Sequence, residues 1–145
     1  MRLVLDSGPL GLLSNPTQRH PAVAAWEWAN SRLDAGDVFS VPEIADYEVR
    51  RELIRAGQTR GVQRLDLLCE GFNYLPLTTE IMRIAAELWA TARNAGTPTA
   101  SDAALDADVI LAAQAMVLRD EHVVVATTNT KHLERFVEVQ LWGAT

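Results

Sequence analysis

The chain has 145 residues, of which 48% are hydrophobic, and a formal net charge of −6 at pH 7. This length and apolar content predict one domain over residues 1–145 and exclude a chain that is disordered throughout. The acidic charge argues mildly against a nucleic-acid partner, because phosphate binding usually comes with a basic surface. Its single cysteine, Cys69, excludes an internal disulfide.

The start of the sequence predicts neither a secretion signal nor a membrane anchor. It enters a strand-like run at once, without a basic region, an apolar stretch and a small-residue cleavage site. No window approaches the apolar length of a membrane-spanning helix. We therefore expect a cytoplasmic protein without a membrane partner.

In the first part of the chain, strands and helices are predicted to alternate. Residues 2–6 form an apolar run before Ser7-Gly8-Pro9, which is typical of a buried strand that ends in a turn. A helix is predicted over residues 21–34, and residues 38–41 favour a second strand. Pro42 then begins a helix over residues 43–55, which Gly57 ends.

The alternation continues through the rest of the chain. The pattern predicts a helix over residues 59–69, a strand at 72–75, a helix capped by Thr78 and ended by Gly96, a loop at 97–99, a helix over 108–118, and strands at 122–126 and 137–141. Apolar strands separated by helices indicate a three-layer α/β/α class with a central, mostly parallel sheet of four to five strands.

The sequence indicates a candidate ligand site at the ends of two predicted strands. Ligands of open parallel sheets bind at the carboxyl ends of the strands, where the strand order reverses. Asp6 directly follows the first strand, and residues 127–129 follow the strand at 122–126. A carboxylate is costly to bury there without a partner, although Asp6 also suits a turn or a helix cap.

The helix over residues 43–55 carries further acids. Glu48 and Glu52 lie one turn apart and share a face, and Glu48 borders the apolar side. Glu48 either points into a cleft or is exposed, and Glu52 can pair with a neighbouring arginine. Asp106 and Asp108 are predicted to precede or begin the next acidic helix, where capping alone explains them. Were both helical, they would point in different directions, so that one of them would face a shared centre.

Carboxylates that converge repel one another, and a hard cation resolves that repulsion. Mg²⁺ and Mn²⁺ prefer carboxylate and water oxygens. Such an ion lowers the pKa of a bound water and neutralises charge on a phosphate, which is chemistry for phosphodiester hydrolysis.

The ordered set of these residues resembles the PIN-domain ribonucleases, which include the VapC-type toxins of toxin–antitoxin pairs. The resemblance covers essentially the whole chain and is carried by Asp6-Ser7, Glu48, Asp108 before V-I-L-A-A-Q-A, and T-x-N at residues 127–129. It implies a Mg²⁺- or Mn²⁺-dependent endoribonuclease of PIN-like fold, with an RNA substrate, an antitoxin partner and a homodimer.

The resemblance also implies residue roles. Asp6, Glu48 and Asp108 match the metal-binding acids, with Asp106 as the alternative to Asp108. Asn129 matches a fourth catalytic position that is often Asp in the family. Thr127 and Ser7 match hydroxyl residues that position ligand or water. No glycine soon follows the acid in Y-E-V-R-R-E-L, which leaves Glu52 as an alternative to Glu48.

Two other functions remain open from the sequence. One is a PIN-like module that binds RNA or protein but cuts weakly or not at all, to which Asn129 and the acidic charge point. The other is a small-molecule phosphohydrolase, against which the chain lacks both a D-x-D-x-T arrangement after its first strand and a glycine-rich phosphate loop.

Overall fold

Five parallel strands form the centre of the molecule, in the order β3-β2-β1-β4-β5. The computed structural model describes residues 1–96 and 101–143, so the predicted loop at 97–99 lies outside the described residues. The strands are β1 (Arg2–Leu5), β2 (Val38–Pro42), β3 (Asn73–Leu75), β4 (Val123–Thr127) and β5 (Val139–Leu141).

Helices cover both faces of this sheet, which confirms the predicted three-layer α/β/α class. They are α1 (Ser7–Ser14), α2 (Ala22–Asp34), α3 (Glu43–Arg55), α4 (Thr59–Gly71), α5 (Thr79–Asn94) and α6 (Asp102–Met116), with a 3₁₀ turn at Thr130–His132. Among the described residues, none of these helices has both the length and the apolar character that crossing a membrane requires.

The sheet order places a topological switch point beside β1. From β1 the chain builds β2 and β3 on one side, and it later returns to build β4 and β5 on the other. Strand β1 lies inside the core, since Leu3, Val4 and Leu5 have no exposed surface. The polar residues that directly follow β1 and β4 therefore meet at one edge of a rigid apolar core.

The turn predicted at residues 7–9 is wrong, because these residues begin α1. Ser7, Gly8 and Pro9 occupy its first turn, where the missing N–H of a proline leaves no hydrogen bond unmade. Leu10 and Leu13 are fully buried. Burial of this apolar side outweighs the local turn preference of the Ser-Gly-Pro sequence.

The start predicted for the last helix is also wrong. The helix α6 begins at Asp102, after Ser101, whose hydroxyl oxygen accepts a hydrogen bond from the backbone N of Ala104 at 3.3 Å. Asp106 and Asp108 are thus both helical and lie beyond the first turn. Their side chains consequently leave the helix in very different directions, and capping does not explain either acid.

Candidate active site

Asp6 lies at the switch point with both carboxylate oxygens held by the chain. Its Oδ1 accepts a hydrogen bond of 2.7 Å from the backbone N of Ser7, and its Oδ2 accepts one of 2.7 Å from the hydroxyl of Thr127. Its own backbone N donates to Ala126 O at 2.9 Å, which continues the pairing of β1 with β4. Asp6 is therefore fixed in direction by two strands and one helix start.

Thr127 connects Asp6 to the segment after β4. The residue is 1% exposed, and its hydroxyl oxygen accepts a hydrogen bond of 3.2 Å from the backbone N of Asn129 while donating to Asp6. The Oδ1 of Asn129 accepts from the backbone N of Lys131 at 3.1 Å and caps the 3₁₀ turn. The side-chain oxygen of Asn129 thus has a structural partner. Asn129 is connected to Asp6 only indirectly, through the hydrogen bonds that both residues make with the Thr127 hydroxyl.

A glycine allows the two strand ends to come together. A Cβ at Gly8 would lie 2.5 Å from Cγ2 and 2.8 Å from Oγ1 of Thr128, distances that real Cβ atoms do not adopt. The first turn of α1 therefore packs directly on the segment after β4 because residue 8 has no side chain. From the sequence, Gly8 was predicted only as part of a turn, because this contact joins residues that are far apart in the chain.

Helix α3 directs one of its acids toward Asp6. The charge of Asp6 acts on the half-buried carboxylate of Glu48, whereas the Glu52 side chain is 62% exposed and bonded to an arginine. The other acids of α3 also have structural partners. These are the backbone N of Leu77 for Glu43, the hydroxyl of Tyr74 and the guanidinium of Arg50 for Asp46, and the guanidinium of Arg55 for Glu52.

Helix α6 separates its two candidate acids. The side chain of Asp108 is 19% exposed, and the charges of Asp6 and Glu48 both act on its carboxylate. Asp106 is exposed and lines an apolar groove with Met82 and Trp89. The structure therefore brings Asp6, Glu48 and Asp108 together, and we call these three residues the carboxylate cluster.

Burial and like charge oppose ionisation within the carboxylate cluster. Burial, followed by the charges of Asp6 and Glu48, raises the pKa of Asp108 from 3.8 to about 7, while Arg135 opposes the rise. Burial, and then Asp6, also raise the pKa of Glu48 above its usual value, with Arg51 acting in the opposite direction. The cluster accordingly concentrates negative charge that added positive charge would stabilise.

Positively charged and titratable side chains surround the cluster. Arg51 and Arg135 act on Glu48 and Asp108, respectively. His132 Nδ1 lies 3.8 Å from Asp108 Oδ2. Arg135 was not predicted from the sequence, because no spacing pattern connects it to Asp108. His132 was recognisable only from its closeness to Asn129 in the chain.

A buried glutamine ties the helices of the cluster to each other. Gln114 has no exposed surface. Its Oε1 accepts a hydrogen bond of 3.3 Å from the backbone N of Ile44, and its Nε2 donates one of 2.6 Å to Leu75 O. Gln114 therefore joins α6 to the start of α3 and to the end of β3, and so helps to set the position of Asp108 relative to Glu48.

The donor chemistry of the cluster fits a hard divalent cation. Its carboxylate oxygens are the ligands that Mg²⁺ and Mn²⁺ prefer. Within residues 1–96 and 101–143, no three His, Cys, Asp or Glu side chains are arranged so that they could together hold a metal ion. Mg²⁺ commonly uses one or two carboxylates, with water and substrate phosphate completing its shell. The cluster therefore matches the ion in chemistry without forming a full cage of protein ligands.

Comparison with known proteins identifies the fold. No protein-family model and no curated protein matches the sequence. Among solved structures, the chain is similar to VapBC2 from Rickettsia felis bound to a promoter DNA fragment, with a TM-score of 0.72 and 14% identity over 98% of this chain and 99% of that chain. It is also similar to VapBC-1 from nontypeable Haemophilus influenzae, with a TM-score of 0.67 and 20% identity over 99% and 100% of the two chains.

A third similar structure is FitAcB from Neisseria gonorrhoeae, with a TM-score of 0.63 and 22% identity over 94% of this chain and 95% of that chain. The fold is PIN-like. This confirms the resemblance found in the sequence at the level of fold, and the similarity extends over nearly the full length of each matched chain. Within this fold, Asp6 lies at the carboxyl end of the central strand β1, and Glu48 and Asp108 come from helices α3 and α6.

Proposed function

We propose that the chain is a metal-dependent endoribonuclease, the toxin of a toxin–antitoxin pair. The observation that carries this proposal is the carboxylate cluster, in which the strand end at Asp6 and two helices bring three acids to the switch point of the sheet. The VapBC assemblies that share the fold add to its support.

In this proposal, the residues of the site have different roles in phosphodiester hydrolysis. A divalent ion held there would activate water and neutralise charge on the phosphate. Asp6, Glu48 and Asp108 would hold it, with Asp6 kept in place by the hydrogen bond from the Thr127 hydroxyl. Ser7 and Glu48 both line a cleft of about 480 Å³, where the Ser7 hydroxyl would contact water or substrate.

The test is cutting of single-stranded RNA by the purified protein in Mg²⁺ or Mn²⁺, with EDTA as the blank. We expect Asp6→Asn to abolish cutting and to leave the circular dichroism spectrum unchanged. The matched control is Asp106→Asn, the same chemical change at an exposed acid of the same region, which we expect to cut like the wild type. Cutting by Asp6→Asn at the wild-type rate would contradict the mechanism.

A module that binds without cutting is the second candidate. Two observations favour it: no three-ligand metal group is present among the described residues, and the Asn129 side-chain oxygen is already used in a cap. Calorimetry with Mn²⁺ separates the two functions. Absent metal binding together with retained RNA binding would establish this second function in place of the first.

The partners of the chain are also proposals. The similar structures are VapBC and FitAcB assemblies, one of them bound to a promoter DNA fragment, and we infer an antitoxin-like partner that delivers positive charge to the carboxylate cluster. A homodimer is the assembly we expect for the chain alone, since symmetric dimers are the commonest soluble oligomers. Light scattering that finds only a monomer would contradict the dimer.

A further inference from the structure

An aromatic side chain stands exposed beside the carboxylate cluster. Tyr47 immediately precedes Glu48 in α3, and 55% of its surface is exposed. The buried side of this helix is formed by Ile44, Ala45 and Val49. Tyr47 belongs to neither of the two apolar clusters that form the core of the described residues. Its ring therefore adds little to the stability of the fold and is available to a ligand.

A guanidinium group accompanies this ring. Arg51 lies one helical turn after Tyr47, and its Cζ is 5.0 Å from the centre of the Tyr47 ring. Cation–π contact at this distance orders both side chains while leaving them open to solvent. The pair thus presents an aromatic ring with a planar cation over one of its faces.

The same pair lines a groove that reaches the cluster. The α3–α6 groove has a volume of about 500 Å³. Tyr47, Glu48 and Arg51 line it from α3, and Ala104, Asp106 and Ala107 line it from α6. A group that enters this groove lies next to Glu48, a member of the carboxylate cluster.

Resting on the proposed function, we propose that Tyr47 stacks on a base of single-stranded RNA and that Arg51 binds the adjoining phosphate. Stacking of bases on aromatic rings is the common, sequence-tolerant means of holding single strands. Arginine binds phosphate through its planar fork of donors. In a chain of net charge −6, a local ring and cation supply binding that a broad basic surface would otherwise provide.

The experiment measures binding separately from cutting. A short fluorescent single-stranded RNA is titrated in EDTA, and its anisotropy gives Kd for the wild type and for Tyr47→Ala, Tyr47→Leu and Tyr47→Phe. We expect the Ala and Leu variants to raise Kd about tenfold. We expect Phe to stay within about twofold of the wild type, because it keeps the ring. Leu is the matched control for apolar contact without an aromatic face.

A second measurement identifies the base. Oligonucleotides with one abasic position, moved along the strand, are titrated against the wild type and Tyr47→Ala. At the stacked position, loss of the base and loss of the ring should not be additive, since each removes the same contact. In cutting assays, Tyr47→Ala should raise KM and leave kcat near the wild-type value. Arg51→Ala should lower the salt dependence of Kd.

Several outcomes would overturn this inference. Wild-type affinity in Tyr47→Ala would show that the exposed ring does not hold RNA, and wild-type affinity in Tyr47→Leu would show apolar contact without stacking. Failure of the wild-type chain to bind RNA would also overturn it. The proposed function fails differently: no cutting occurs in Mn²⁺, while the Tyr47-dependent binding in EDTA persists.

Discussion

Replacing Asp108 by Asn should stabilise the metal-free protein at neutral and alkaline pH. The substitution keeps the shape of the side chain and removes its charge. In the folded chain, burial and the charges of Asp6 and Glu48 raise the pKa of Asp108 from 3.8 to about 7. The folded state therefore binds a proton at Asp108 more tightly than the unfolded chain does, and ionisation of this carboxyl opposes folding.

The sign and size of the effect follow from this pKa. Below about pH 4, Asp108 is protonated in both states and its contribution to stability is fully present. As the pH rises through about 7, this contribution is lost. The full pKa difference corresponds to roughly 4 kcal/mol. Because the Asp108 side chain is 19% exposed, solvent screening reduces the expected gain for Asp108→Asn to about 2 kcal/mol above pH 8.

Urea denaturation in EDTA at pH 4, 6 and 8 measures this gain. The free energy of unfolding should be equal for the wild type and Asp108→Asn at the lowest pH, and the variant should be the more stable at the highest. Asp106→Asn is the matched control, because it makes the same chemical change at an exposed acid of α6, and its free energy of unfolding should stay within about 0.5 kcal/mol of the wild type. Adding Mn²⁺ should then stabilise the wild type more than Asp108→Asn. A variant no more stable than the wild type at pH 8 would refute the electrostatic reasoning.

Two further substitutions test how the site is held together. Gln114→Leu should lower the free energy of unfolding by about 2–4 kcal/mol in urea denaturation, because it leaves the Ile44 N–H and Leu75 C=O groups without their partner; an unchanged stability would contradict this. Gly8→Ala should destabilise the fold by about 1–3 kcal/mol, because the new Cβ meets Thr128. Adding Thr128→Ala should restore part of that loss, and a simply additive double variant would show that the two residues do not clash.

The sequence was sufficient to predict the strands and the edge of the sheet at which the acids meet. Apolar runs mark buried parallel strands directly, and the carboxyl end of β1 follows from the position of Asp6. The first helix was missed because Ser7-Gly8-Pro9 is typical of a turn, whereas burial of Leu10 and Leu13 decides the structure. The local conformational preference of a short sequence predicts its structure poorly where burial of a few side chains stabilises a different conformation.

The choice between neighbouring acids depended on information that local sequence does not contain. Asp106 and Asp108 are two residues apart, so the start of α6 decides whether both are helical, and its orientation decides which one faces Asp6. Gln114 contributes to that orientation through contacts with residues 39 and 70 positions away. Contacts of such separation leave no periodic pattern in the sequence.

The partners of the acids also distinguish the cluster from the rest of the charged surface. Glu43 and Asp46 each accept hydrogen bonds from other parts of the fold, as expected of acids that stabilise structure. Glu48 and Asp108 instead face other carboxylates, and burial raises the pKa of both. An arrangement that opposes its own ionisation persists because the surrounding apolar core is rigid, and perturbed acids of this kind concentrate at functional sites. Burial in this core thus destabilises the ionised carboxylates of Glu48 and Asp108, and the rigid core also holds them close together, where a cation would bind.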